Sequence, residues 1–432
     1  MRTRALSWWV ICCCLVAGCD GGAASTVRDA GVVTDAVVGD SARSVPLIDG
    51  GPFVPPTCGS DVPALPASAP HLSPGVWNDV GPTQITFGHD VFTQGMAIHP
   101  CDPAILYVSV EAFSTTVASG LYRTRDAGTT WQRVGHITNP VNSGDFLDMP
   151  VRVRIDPRDP SRIYVVDGVR GGTQGFYVSH DGGDNFEIPS SFTRLQAEQG
   201  IFAYDLYDLA VDPTDFDHFL LSHHGAWGWT DTRWNASSGI LESRDGGQTF
   251  IVHEPHGWGT GHAIDFLYRP DLGIGDANTW LLGTQGGGMF KTRDAGATWT
   301  QVTTTSIQHG GGSIYYTDAG VIYAAGTPTL VRSEDNGDTW TSVDLGPGAG
   351  AGFNAVIGDG TRLFTASNSY PRYLVSSETD GRTWTDLSTA VPDPSSFQSG
   401  GAVGPFEMAV DRRNHILYSA SWNFGLLAWR LD

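Results

Sequence analysis

Two groups of residues in this chain have types suited to chemistry. One is a crowd of indole and imidazole rings, His223-His224-Gly225-Ala226-Trp227-Gly228-Trp229-Thr230-Asp231-Thr232-Arg233-Trp234, followed by His256-Gly257-Trp258-Gly259-Thr260-Gly261-His262. Gln308-His309-Gly310, Tyr370-Pro371-Arg372 and Trp422-Asn423 are smaller strings of the same kind. Indole faces stack on the C–H faces of sugars while amides and carboxylates take the hydroxyls, and ligand sites are mostly apolar with a few placed polar groups. This chemistry singles out His223, Trp227, Trp229, Trp258, His262, His309 and Trp422 as ligand-binding candidates. The second group is a set of acids, of which Glu111, Asp205 and Glu407 are the catalytic candidates. Sugar hydrolysis needs two carboxyl groups roughly 5–5.5 Å apart (retaining) or roughly 6.5–9.5 Å apart (inverting). The competing reading is that the Trp side chains pack loops onto their own neighbours. The histidines match no metal-ligand spacing, so no metal and no cofactor is assigned. A P-loop, a dinucleotide fingerprint and a serine triad are not evident, and Gly286-Gly287-Gly288 has no helix behind it to receive a phosphate.

The elements that must position these residues follow from a repeated octet. Thr292-Arg293-Asp294-Ala295-Gly296-Ala297-Thr298-Trp299 has the pattern Ser/Thr-x-Asp-x-Gly-x-Thr-Trp. It recurs with small changes at 124–131, 179–186, 243–250 and 333–340, and a sixth copy at 377–384 carries Thr379 where the first Asp should stand. A period of this length marks a repeat architecture. Short oxygen-bearing side chains accept backbone N–H groups that a turn leaves free, and Gly takes a positive φ without steric cost. The octet is therefore a hairpin turn, and the closing aromatic starts the next strand. Around the fourth repeat, His262–Leu267, Thr279–Thr284, Gly288–Thr292 and Thr298–Val302 read as a four-stranded antiparallel meander, the unit of a β-propeller blade.

Inner strands begin near Gln94, Val151, Tyr207, His262, Gly312, Phe353 and Pro405, which predicts seven blades. The last unit, Phe406–Asp411, His415–Ser421 and Gly425–Arg430, lacks an outer strand. Val76-Trp77-Asn78-Asp79-Val80 reads like Thr339-Trp340-Thr341-Ser342-Val343 and is expected to supply it. Closing the ring removes exposed sheet edges. The expected fold is an all-β, seven-bladed propeller of four-stranded antiparallel blades over 76–432. In a meander the octet turns lie at one end, here the bottom. The ring-rich loops, Glu111 and the start of the strand bearing Glu407 lie at the other, the top, as do Asp90, Asp145, Asp148, Glu198, Asp205 and Asp265.

The octet resembles the Asp-box, or BNR repeat, of sialidases, sortilin-type receptors, xyloglucanase-type glycoside hydrolases and a photosystem II assembly factor. The resemblance covers about residues 76–432 and implies the fold, with the boxes as folding elements remote from any site. Xyloglucanase-type enzymes carry a catalytic Asp in the second–third loop of their first blade, shortly after a Leu-Tyr strand. Leu106-Tyr107-Val108-Ser109-Val110-Glu111 puts Glu111 at the similar place. The departures are the Glu, the missing Gly-Gly after it, and the missing second propeller that supplies the partner acid in those enzymes. Sialidases are six-bladed, and carry an arginine triad and a Phe/Tyr-Arg-Ile-Pro motif. The nearest string here is Val153-Arg154-Ile155-Asp156, in the second blade, which speaks against a sialidase.

A formal charge of −21 speaks against nucleic acid or an anionic membrane surface as partner. Arg2 and Arg4 precede an apolar run from Ala5 to Val16, too short for a comfortable membrane span. It ends Leu15-Val16-Ala17-Gly18-Cys19, which resembles the lipobox of bacterial lipoproteins. The resemblance implies a signal peptide at 1–18, a lipid on Cys19, and export to the periplasmic or cell-surface side of a membrane. Residues 19–75 read as a flexible, acidic and Pro-rich tether. Cys12, Cys13 and Cys14 leave with the signal, so Cys58 and Cys101 are expected to form a disulfide. The whole reads as a lipid-anchored monomer binding a glycan on its top face. A non-catalytic, protein-binding scaffold and a glycoside hydrolase stand as alternatives, and the membrane is touched through the anchor alone.

Overall fold

The computed structural model describes residues 58, 62–82, 91–112, 118–140, 144–168, 172–201, 203–227, 237–307, 313–346, 352–367, 373–377, 381–387, 404–422 and 425–431. Residues 1–18, where the sequence leads one to expect a signal peptide, and Cys19 lie outside them.

Seven antiparallel blades follow one another along the chain. Their inner strands are Val91–Ile98, Pro150–Ile155, Leu206–Asp212, Gly261–Phe266, Ile314–Tyr316, Phe353–Gly358 and Pro405–Asp411. Six blades are regular four-stranded meanders. In blade two the fourth strand shrinks to Glu187, which exchanges both backbone bonds with Val178 at 2.9 Å. The chain enters that strand beside His136–Ile137, which pairs in parallel with Asn185–Phe186. Two short helices, Ser190–Thr193 and Leu195–Gln199, then lead to blade three, with Phe192 buried.

Blade seven borrows its outer strand from the start of the chain. Trp77–Asp79 pairs antiparallel with the last strand, Trp77 opposite Trp429 and Asp79 opposite Leu427. The Trp77 indole is buried, with ring centroids 4.1 Å from Tyr373 of blade six and 5.4 Å from Trp429. Ahead of the strand, Leu65 and Leu72 pack with Trp131 against the core between blades seven and one. Cys58 is bonded to Cys101, with 5.4 Å between their α-carbons.

The octets fold as their chemistry predicts. In blade four, Thr292 Oγ1 accepts Gly296 N–H at 3.0 Å, Asp294 Oδ1 accepts Thr298 N–H at 2.8 Å, and Trp299 Nε1 donates to Gly296 O at 3.0 Å. Gly296 sits at φ 78°, where a side chain is disfavoured. Blades one, two, three and five repeat the hydroxyl-to-glycine and carboxylate bonds. In blade six, residues 378–380 fall outside the described set; Trp384 Nε1 still donates to Gly381 O at 3.2 Å.

Adjacent blades are also clasped in a position-specific way. In blade one, the residue before the octet is Arg123, which donates to Gly182 O at 2.9 Å and to Asp184 at 2.8 Å in the octet of blade two. In blade four the same place holds Lys291, which donates to Asn336 O at 2.6 Å and Asp338 Oδ1 at 2.7 Å in the octet of blade five. Both octets carry Asp at their sixth position. Where the sixth position is Ala297, in blade four, the preceding blade offers Glu242 instead. Glu242 turns to His218 at 2.9 Å, His253 at 2.8 Å and Arg244 at 2.6 Å.

Candidate functional site

Six inner strands slip register near their top ends, at Thr93/Met96, Pro150/Arg152, Leu206/Asp208, Gly261/Ala263, Phe353/Ala355 and Pro405/Glu407. Each slip is a bulge, which re-aims the side chain it carries. Tyr207, His262 and Phe406 are such bulge residues. Their rings meet between blades three, four and seven, Tyr207 lying 4.7 Å from His262 and 5.8 Å from Phe406 between centroids. The row extends on both sides. His224 stacks on Tyr207 at 5.3 Å, Trp422 stacks on Phe406 at 5.8 Å, and Phe92 meets Trp422 edge-on at 5.4 Å. Tyr207, His262 and Phe406 are buried, whereas His224, Trp422 and Phe92 at the two ends are half-buried.

Beneath the row, charged groups bind the blades to one another. Glu407 Oε2 accepts the Met96 N–H of blade one at 2.9 Å, and Asp208 Oδ2 accepts the Ile264 N–H of blade four at 3.0 Å. Ser313 Oγ accepts the Val356 N–H of blade six at 2.6 Å. In blades seven and three the residue after the bulge therefore caps an inner-strand N–H of the next blade. Arg152 pairs with Asp208 at 2.9 Å and lies 4.7 Å from the Phe406 ring centre, and Arg154 pairs with Glu407 at 3.0 Å. Two cations thus face two anions. Asp265 adds a third carboxyl, which burial pushes up to about 8. Asp208 adds to that rise, and the Phe266 N–H and Arg154 oppose it.

The three candidate acids are all buried and all bonded. Glu111 accepts Gln94 Nε2 at 2.7 Å, Glu407 is held by Met96 and Arg154, and Asp205 Oδ2 lies 3.2 Å from His224 Nδ1. Asp205 thus stands beside the half-buried His224 ring.

Two indoles expected to wall a groove are instead packing elements. Trp227 is fully buried in the core of blades two and three. A Cβ on Gly239 would lie 2.4 Å from its ring, so the glycine makes the space the indole fills. Trp258 is buried against Phe290 and Trp299 of blade four, and its Nε1 donates to Ser238 O at 2.7 Å. A large aromatic gains most by full desolvation, and its polar N–H then needs a partner. His223 is likewise buried, edge-on to Trp227 at 5.2 Å; burial pulls its pKa down to about 4 although Asp205 opposes the shift. Trp229 and His309 lie outside the described residues. Of the seven candidate ligand residues, His262 and Trp422 belong to the row, His262 buried and Trp422 at its edge. Tyr207, Phe406, Phe92 and His224 complete it. Their signal was position, since each stands at or beside a strand end facing the top. Among the described residues, no three His, Cys, Asp or Glu side chains converge as a metal site.

No family model matches the chain. It is similar to the oligoxyloglucan-reducing end-specific xyloglucanase of Emericella nidulans, 26% identical over 216 residues, which are 49% of this chain and 24% of that protein. A probable enzyme of the same name from Neosartorya fischeri is 24% identical over 227 residues, 50% of this chain and 24% of that protein. The match thus spans about a quarter of the length of these curated relatives. Among solved structures, YCF48 from Cyanidioschyzon merolae matches with TM-score 0.51 at 14% identity, over 82% of this chain and 98% of that one. An ancestral GH74 enzyme matches with TM-score 0.50 at 15% identity, over 81% of this chain and 47% of that one. These structural likenesses bear on the fold.

Proposed function

We propose that this chain is an exported, lipid-anchored propeller that binds a glycan at its top centre. The observation that carries the reading is the aromatic row with half-buried ends, His224 beside Asp205 at one end and Trp422 beside Phe92 at the other. Such ends offer ring faces for sugar C–H groups with a carboxylate nearby for hydroxyls. The two curated relatives, named for action on oligoxyloglucan, make xyloglucan oligosaccharides the first ligands to try.

Calorimetric titration of xyloglucan oligosaccharides, with cello-oligosaccharides beside them, tests the reading. Trp422→Ala and His224→Ala should each weaken binding by about 1–3 kcal/mol, the scale of removing a large ring from a contact. Trp258→Ala should lower thermal stability and leave binding of the folded protein unchanged. Unaltered affinity in both row variants overturns the glycan reading. A reducing-sugar assay on the same ligands tests hydrolysis, with Asp205→Asn as the variant that should stop any turnover.

The burial of Trp227 and Trp258 supports a second reading, a protein-binding scaffold, because it removes two of the expected sugar platforms. Absence of glycan binding, with capture of an exported protein that Trp422→Ala abolishes, would select it. For the anchor, Cys19→Ser should move the protein from the membrane to the soluble fraction.

A further inference from the structure

The ring is closed by a very short strand. Trp77–Asp79 contributes three residue pairs to blade seven and, unlike the outer strands of blades one, three, four, five and six, does not follow its sheet neighbour in sequence. The strand is antiparallel to Gly425–Arg430, so its leading residue, Trp77, lies opposite Trp429, next to the C-terminal end of the chain. A pull on the chain ahead of Trp77, resisted through blade seven, loads the Trp77–Trp429 pair first, then Asn78–Ala428, then Asp79–Leu427. Bonds loaded one after another in this way are unzipped rather than sheared. The closing contact therefore opens from the side where the N-terminal segment joins it.

Cys58 changes that path. It lies ahead of the closing strand and is bonded to Cys101, in the turn that follows the inner strand of blade one. The loop between the two cysteines, a sequence separation of 43, contains the whole closing strand. A force arriving at Cys58 passes through the sulfurs to Cys101 and into blade one, whose inner strand Val91–Ile98 pairs with Leu106–Ala112. The closing strand Trp77–Asp79 is then off the direct path. Within the loop, the segment is also fastened by Thr129 to Ser68 and by the Trp131 indole to Val80 O at 2.9 Å.

We infer that the Cys58–Cys101 bridge is a mechanical bypass, which routes tension on the N-terminal segment around the closing strand and keeps the ring shut. The inference rests on the anchored reading for its biological setting, since a lipid on Cys19 would place that segment under tension. The mechanical property itself belongs to the folded chain.

The test is single-molecule pulling of the mature protein between handles at residue 50 and at the C-terminus, with the bridge intact and after reduction in place. Reduction of the already folded protein avoids any dependence on refolding, and the Cys58→Ser/Cys101→Ser double variant, checked for native circular dichroism, repeats the comparison. With the bridge broken, an early step should release the chain from about residue 58 to the start of blade one, roughly 110 Å at about 3.3–3.6 Å per residue. With the bridge intact that step should vanish and the first rupture should move to higher force. The same first step, in force and length, with the bridge intact and broken overturns the inference. Handles replace the lipid, so a failure of the anchored reading, seen separately as a Cys19→Ser variant that stays at the membrane, leaves this result readable.

Discussion

His218 lies 2.9 Å from Glu242 through Nε2, while its Nδ1 lies 2.9 Å from Asp212. Ionised carboxylates only accept hydrogen bonds, so both ring nitrogens must donate and the imidazole is held as a cation. The pair sits between blades three and four, where His218 packs edge-on to Phe266 and His253 edge-on to Trp280. Burial pulls His218 down, but Asp212 and Glu242 outweigh it and raise its pKa above the ordinary imidazole value. Burial raises Glu242, but His218, His253 and Arg244 outweigh it and bring the pKa down to about 2.

The consequence is a stability window. The His218 contribution is full below the ordinary imidazole range and is lost as pH rises through the raised value. The Glu242 contribution is present above the ordinary carboxylate range and is lost as pH falls toward about 2. Thermal unfolding followed against pH should therefore show greatest stability between those ranges and a decline above neutrality. His218→Gln should flatten the decline; an unchanged slope would contradict the assignment.

Lys291 and Asp338 bind blade four to blade five. Lys291→Met should destabilise by about 1–2 kcal/mol, a figure kept low because Asp338 is 42% exposed and surface ion pairs contribute little. Lys291→Arg should be milder, because Arg123 fills the equivalent place in blade one. A double-mutant cycle with Asp338→Asn measures the coupling, and additive effects would show that the two residues act independently.

Asp265→Asn should stabilise the protein at neutral and alkaline pH. The folded state keeps a proton on Asp265 up to about 8, whereas the unfolded chain has already released it, so folding is penalised increasingly between the two values. Asn mimics the protonated form. The expected gain is on the order of 1–3 kcal/mol at pH 8, vanishing near pH 4. Denaturant unfolding at both pH values is the measurement, and a loss at pH 8 would refute it.

Trp77→Ala should cost about 3–5 kcal/mol, the usual range for emptying a buried aromatic site. Removing residues 76–81 should do more, since blade seven then loses its edge strand. A melting temperature unmoved by either change would mean that the ring closes without this strand.

The blades and their closure were legible because propeller repeats write themselves into the sequence. The octet recurs, an inner strand follows each copy, and Trp77-Asn78-Asp79 has the pattern of the missing outer strand. The site was less legible. Trp227 and Trp258 were placed correctly in top-side loops by topology, but whether an indole faces water depends on how its loop folds back. Gly239 and Ser238 decide that through space and one hydrogen bond, and neither announces itself by type. The meeting of Tyr207 with Phe406 joins residues of blades three and seven. It depends on bulges that shift each side chain off the strand's alternation, and a two-residue period cannot foresee them.

The lysine that clasps blades four and five is also the one lysine in the chain, alongside 24 arginines. Its side chain is 2% exposed. Amine-directed reagents therefore find no lysine side chain on the native surface, and acylation at Lys291 requires the two blades to part. The protein carries its own single-position probe of that event. Mass-spectrometric labelling at this one residue would time the opening of a specific blade boundary without any introduced dye, and the absence of other lysines leaves no side-chain background to subtract.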